Sequence, residues 1–294
     1  MFTYNKQISL RLNSLIFLLL VTGILVAVAR HPASALTIIR EYIPPGESFE
    51  FDGFQITAGK PPATLVGNGS IIEVFDAAAN SWENAIGDDH TVTIQFGWSP
   101  LPIGAGIHNV RSQGGSPNRI TEAVVYFDND GSTVWFLDST PGEHSEYSIA
   151  VTCYADLGTG RLNSGRILSK KMNAVQALDF LTIAKHEIGH ALGLSTWNYE
   201  WEVKNAEEGI QITKPRPFAE SVIPTDSGGH LRLHGALMDQ VLLPRQRKLM
   251  SVADVLAIAE MGEFTDLNLT PEEYSSHNSL KGKSGQDSTC PPNP

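Results

Sequence analysis

Cysteine is nearly absent from these 294 residues, Cys153 and Cys290 being the only two. That excludes a disulfide-dense scaffold and a Cys-based zinc knuckle. It leaves one conceivable bridge, which outside the cytoplasm would tie the C-terminal tail to the body. Basic residues are also scarce, with 21 Lys and Arg against 32 Asp and Glu. Residues 1–35 hold three of the basic side chains and no acidic one, so the rest of the chain carries −14 against −11 for the whole. Such a surface repels phosphate backbones and anionic lipid, and nucleic acid is not an expected partner. Long apolar runs are missing too, save one: Leu15 to Val28, which follows Lys6 and Arg11 and precedes Ala33-Ser34-Ala35. This is the layout of an export signal cleaved after Ala35. A run of about 14 residues is short for crossing a bilayer, so a secreted or extracytoplasmic chain, free of the membrane after cleavage, is expected.

What is present is ordinary globular material, 41% hydrophobic and 18% charged, which rules out disorder throughout. From Leu36 to about Leu168 short β-like runs alternate with Gly, Pro and Asn. The clearest are Thr91 to Trp98, Ala123 to Phe127, Thr133 to Leu137 and Tyr147 to Tyr154, with a hairpin signal at Asn129-Asp130-Gly131. These predict a twisted sheet. Between Met172 and Leu192 the pattern changes: Val175, Leu178, Leu181, Ala184, Ile188 and Leu192 recur at helical steps. Asn173 is the expected N-cap and Gly193 the expected stop. Ser195 to Gly229 reads as a long loop or inserted subdomain. A second helix is expected from about Val252 to Met261 between Ser251 and Gly262. Beyond it the chain turns polar.

The chemistry sits in His186-Glu187-Ile188-Gly189-His190, a His-Glu-x-x-His pattern inside the predicted helix. Positions four apart share a helix face, so both imidazoles can reach one metal ion with Glu187 beside them. Zinc lowers the pKa of a bound water to about 7, and an adjacent carboxylate can take its proton during attack on an amide carbonyl. Zinc needs a third protein ligand if a water is to fill its fourth position. Downstream, His230 and His234 are candidates, and Glu207 or Glu208 a further possibility. Asp128, Asp130 and Ser132 could hold calcium, but Gly131 is misplaced for an EF-hand loop and a plain turn is the better reading. His90, His108 and His144 read as scattered surface histidines rather than a second zinc site.

The stretch from His186 to Ser195 resembles the active-site helix of the metzincin zinc peptidases, in which a Gly turns the chain toward a third histidine and a later Met forms a turn under the metal. Gly193 and Met238, in Ala236-Leu237-Met238-Asp239, match those two positions. Thr196 stands where most metzincins carry the third ligand, so the common motif is incomplete. The leishmanolysin-like branch has an insertion at this point, and this chain is similar in that respect, with matrixin-like features elsewhere. The resemblance implies His230 as third ligand, preceded by Gly228-Gly229, with His234 as runner-up. It also implies Glu187 as general base and Met238 as the Met-turn. Tyr274 is too remote to match the tyrosine some members place after that turn.

The expected fold is α+β and metzincin-like: a twisted β-sheet plus active-site helix, then a small C-terminal subdomain. The expected divisions are a signal peptide at 1–35, a peptidase domain at 36–265 split after residue 193, and a disordered polar tail at 266–294. The expected function is a secreted, monomeric zinc endopeptidase acting on a protein or peptide substrate. The competing expectation is a catalytically inactive secreted binding protein that keeps the peptidase fold, motivated by Thr196, the insert and the missing tyrosine.

Overall fold

The computed structural model describes residues 35–171, 174–207 and 209–270. The expected signal segment up to Ser34, Asn173, Glu208, Tyr274 and Cys290 lie outside them. In chain order, β1 (Leu36–Tyr42) precedes β2 (Ser48–Phe51), β3 (Phe54–Thr57), β4 (Leu65–Val66) and helix α1 (Ile71–Ala85). Then come β5 (His90–Ser99), β6 (Gly106–Gly114), β7 (Arg119–Asp128), β8 (Trp135–Phe136), β9 (Ile149–Asp156), β10 (Arg161–Ser169) and β11 (Leu178–Asp179), which runs into helix α2 (Phe180–Ala191). Past it lie α3 (Tyr199–Lys204), β12 (Asn205–Ala206), β13 (Gly209–Gln211), β14 (Val222–Ile223), β15 (Thr225–Asp226), β16 (His230–Leu231), β17 (Gln246–Leu249) and α4 (Val252–Gly262). The class is α+β.

The main sheet has the order β1-β5-β7-β6. The first three strands are parallel, whereas β6 is antiparallel to β7 and forms the edge. From Ala123 to Asp128 β7 is buried because both faces of the sheet are covered there. Val125 and Phe127 face the helices within the main core. Val124 and Tyr126 point the other way, into a smaller cluster under the β2–β3 hairpin, where Phe49 stacks on Tyr126 at 3.9 Å.

Helix α1 is a correction to the reading of this region as strands and turns alone. Its signals are local: Ser70 and Glu73 form a capping box, and Ile71, Val74, Phe75, Ala78, Ala79, Trp82 and Ala85 are buried at helical spacing. Trp82 Nε1 donates to Lys185 O at 2.9 Å, joining α1 to α2. The Asn129-Asp130-Gly131 turn likewise does not join neighbouring strands. Asp128 gathers Leu101 N–H, Asp130 N–H and the Ser132 hydroxyl, turning the chain out of the sheet so that β8 pairs in parallel with β4 and β11.

Helix α2 starts at Phe180, later than its apolar periodicity suggests, because Asp179 caps it. The Asp179 carboxylate accepts Thr182 N–H at 3.1 Å and Thr182 O–H at 2.7 Å. Arg247, wholly buried, bonds Asp179 at 2.8 Å and Asp138 at 2.8 Å, and Tyr147 O–H donates to Asp179 at 2.9 Å. Burial alone would raise the Asp179 pKa, but Arg247 and these donors together hold it below the usual carboxylate value. Replacing one member of such a set strands the others in the interior. Arg247→Met is therefore expected to cost about 3–5 kcal/mol, read as a lowered urea midpoint at unchanged slope.

The two expected subdomains share one core: residues of β5 and α1 belong to the same buried cluster as Val255, Leu256 and Ile258 of α4. The insert after Gly193 is folded rather than loose. It contains α3 and a small sheet ordered β12-β13-β14, and Glu260 of α4 anchors it through Thr213 N–H at 2.9 Å and Arg216 at 3.1 Å. Helix α4 begins at Ser251 with a capping box to Asp254, but its C-cap is Glu263 in the left-handed region rather than Gly262. Asp266 to Thr270, assigned to the tail from sequence, are tied to the body: Asp88 accepts Asp266 N–H at 2.8 Å, and Asn268 N–H reaches Ala85 O at 2.9 Å. Cys153 is buried in β9 and disulfide-bonded.

Candidate metal centre

Helix α2 is buried almost throughout, and among its motif residues His186 and Glu187 line a cavity while His190 lies buried one turn further on. The chain turns at Gly193, whose φ of +134° disfavours any side chain. After the insert it returns through the β15–β16 hairpin, whose tip is Gly228-Gly229. A Cβ on Gly229 would lie 2.5 Å from Leu194 O. That close approach delivers His230 to the end of α2.

His186, His190 and His230 each offer a ring nitrogen, and the three atoms lie within 4.8 Å of one another. Each ring is oriented by a backbone carbonyl on its other nitrogen. His186 Nδ1 meets Leu237 O at 2.8 Å, His190 Nδ1 meets Leu194 O at 2.5 Å, and His230 Nδ1 meets Ser227 O at 2.9 Å. Carbonyls only accept, so each Nδ1 carries the proton and each Nε2 presents a lone pair. His186 Nε2 and His190 Nε2 then face each other at 3.1 Å, an arrangement that a cation between them would satisfy. The spacing is close to the ~3.3 Å edge of a tetrahedron with zinc–nitrogen bonds of ~2.0 Å. Burial is the main cause pushing His186 down to about 4 and His190 well below its ordinary value, which keeps both rings in the neutral, ligating form.

His234 does not join this set. Its Nδ1 faces Asp239 Oδ2 at 3.7 Å. Glu207 is exposed and belongs to neither group of side chains able to hold a metal among the described residues. Asp128, Asp130 and Ser132, weighed for calcium, are outside those groups too, and the Asp128 carboxylate is used by the turn donors already described.

Met238 is fully buried beneath α2. A Cβ on Gly189 would come within 2.4 Å of Met238 Sδ, so the glycine between the two helix histidines is what lets the methionine pack there. The turn is pinned from α4, where the buried Asp254 carboxylate accepts Leu237 N–H at 3.0 Å and Met238 N–H at 2.9 Å. Because Leu237 O in turn holds His186, the α4 cap and the histidine cluster are mechanically linked.

One histidine was misread from sequence. His108 is not a scattered surface residue: its ring stacks on His190 at 4.3 Å, and with Glu187 and His190 it forms the second group that could hold a metal. It lies on the β6 edge strand, far from α2 in sequence, and the only local signal is its place two residues after Gly106 on one strand face. His90 instead bonds Ile120 O at 2.7 Å, and His144 lies by Arg247 at 3.2 Å.

The cavity beside the histidines has a volume of about 360 Å³. Ile183, Leu237 and Leu242 give it apolar walls, Ala105 and Gly106 of the edge-strand side close it, and Lys248 and Asp239 reach it as an ion pair 2.9 Å apart. No helix among the described residues is long and apolar enough to cross a membrane. No protein-family model matches the chain, and neither any curated protein nor any solved structure matches it.

Proposed function

We propose that this chain is an exported zinc-dependent endopeptidase of metzincin type. The observation that carries the reading is the convergence of three carbonyl-oriented imidazoles from His186, His190 and His230, with Glu187 beside them at the mouth of an apolar-walled cavity. In this reading His186, His190 and His230 hold the ion, and Glu187 is the general base and later the proton donor. A zinc ion bound there would supply Lewis acidity toward a carbonyl oxygen and an acidified water.

The residues of the chain do the rest. Among the described residues, edge strand β6 has no strand on its outer side within its sheet, so an extended peptide can add there and align its carbonyls with Glu187. The cavity takes one side chain flanking the scissile bond. Exposed Ile103, next in sequence to the cavity-lining Gly104, and Trp197, against the His108 ring, offer apolar contact to neighbouring substrate residues. Thr196 is exposed and is replaced in the ligand role by His230, so its identity does not argue for an inactive protein.

The test is hydrolysis of an unfolded protein by the purified chain. Cleavage is expected to stop on chelation and to return with about one equivalent of zinc. A folded chain that binds no zinc, or hydrolysis indifferent to chelation, would sink the reading.

A further inference from the structure

Two residues of strand β6 cradle Glu187. Gly106 and His108 stand on the same strand face, and both meet its carboxylate. A Cβ on Gly106 would lie 2.7 Å from Glu187 Oε1, so that oxygen rests against bare strand backbone at the cavity wall. His108 Nδ1 faces the other oxygen, Oε2, at 3.5 Å. The imidazole cannot swing away. It is stacked on His190 with an interplanar angle of 17° and tilted against Trp197 at 5.5 Å.

The far side of the ring accepts either tautomer, and the carboxylate decides between them. His108 Nε2 lies 2.8 Å from the hydroxyl of buried Ser195, and Trp197 N–H donates to that same Oγ at 3.2 Å. If Nε2 carried the proton, the Nδ1 lone pair would face a carboxylate. If Nδ1 carries it, Ser195 O–H donates to Nε2, its oxygen accepts from Trp197, and Nδ1–H points at Glu187, so no two lone pairs face each other.

We propose that His108 is a positioning residue that holds Glu187 by an Nδ1–H donor on Oε2 and leaves Oε1, on the Gly106 side, as the oxygen that exchanges protons. This rests on the hydrolytic reading of the same site. The contact is slightly long for a hydrogen bond in the free protein and shortens when substrate on β6 excludes water, as such bonds commonly do. Ser195 and Trp197, at the start of the insert, thus act on Glu187 through His108.

The test uses the intact zinc-loaded chain with His108→Phe and His108→Asn. Phe keeps a ring over His190 and removes the donor; Asn returns an N–H near the Nδ1 position. With a fluorogenic peptide, His108→Phe is expected to lower kcat by about 10- to 100-fold, the usual cost of losing an outer-shell partner. KM, zinc content and melting temperature should stay near native, and His108→Asn should recover most of the loss. Native kcat in His108→Phe, or a loss that tracks zinc loss, would overturn the proposal. A second readout does not need turnover: in the metal-free chain, nitrogen-15 NMR should find the His108 proton on Nδ1. A proton on Nε2 overturns the proposal even if the chain is a peptidase. A zinc-bound native chain that hydrolyses nothing while His108 shows the Nδ1–H form would reject the hydrolytic reading and leave the geometric one standing.

Discussion

Glu187→Gln is expected to lower peptide-bond hydrolysis by about 10²- to 10⁴-fold while zinc content remains that of the native chain. Glutamine has the same shape, so it fits the slot between Gly106 and His108, but its amide takes up no proton. Glu187 is not one of the three imidazole donors that converge at the centre, so metal retention separates this loss from a collapsed site. The drop should fall on kcat, with KM nearly unchanged, because a general base acts mainly in the transition state. Steady-state kinetics with metal analysis on the same preparation would check it. Near-native hydrolysis by the Gln variant would remove Glu187 from the base role and require another proton acceptor in the cavity.

The largest effect on metal binding is expected from His230→Ala. Changing even an outer-shell partner costs about 10- to 100-fold in affinity, so losing one of three ligands should cost at least about 100-fold. Two imidazoles on one helix face would remain, with no third donor near them among the described residues except the Glu187–His108 pair. His234→Ala should leave zinc in place, since that ring faces Asp239. Competition titration against a chromogenic chelator would read both. Because a ligand that binds only the folded chain stabilises it by mass action, zinc should raise the melting temperature of native protein and of His234→Ala, and do little for His230→Ala. The reverse pattern would make His234 the ligand and oblige the β15–β16 hairpin to rearrange.

Much of this centre was legible in the sequence because its geometry is local. Two histidines four apart on an apolar helix must share a face, and Gly189, Gly193, Met238 and Ser251 each sit within a short, strongly constrained stretch. Elements governed by distant partners were harder to read. The start of α2 is set by Asp179, whose carboxylate is fixed by Arg247 from β17 and Tyr147 from the loop before β9, so apolar period alone placed it too early. Helix α1 was lost among β-like runs although its capping box is written out at Ser70 and Glu73. The β-like composition on both sides outweighed it. His108 had no motif to betray it, since its meaning comes from strand register: it pairs across from Val125 in β7, and that register sets it over α2.

The carbonyl of Leu194 orients His190 and also meets the backbone at Gly229. The chain between them, residues 195–228, therefore leaves and rejoins the body through one doorway. Closing a longer or shorter excursion across a fixed gap changes its entropy only slowly with length. The place of His230 beside His190 is thus set where the excursion closes. Lineages could redecorate the exposed positions of that segment while His230 keeps its place, provided that Ser195, Trp197, the Gly228-Gly229 tip and the side chains it sends into the main core, Trp201, Ile210, Ile212 and Ile223, are kept.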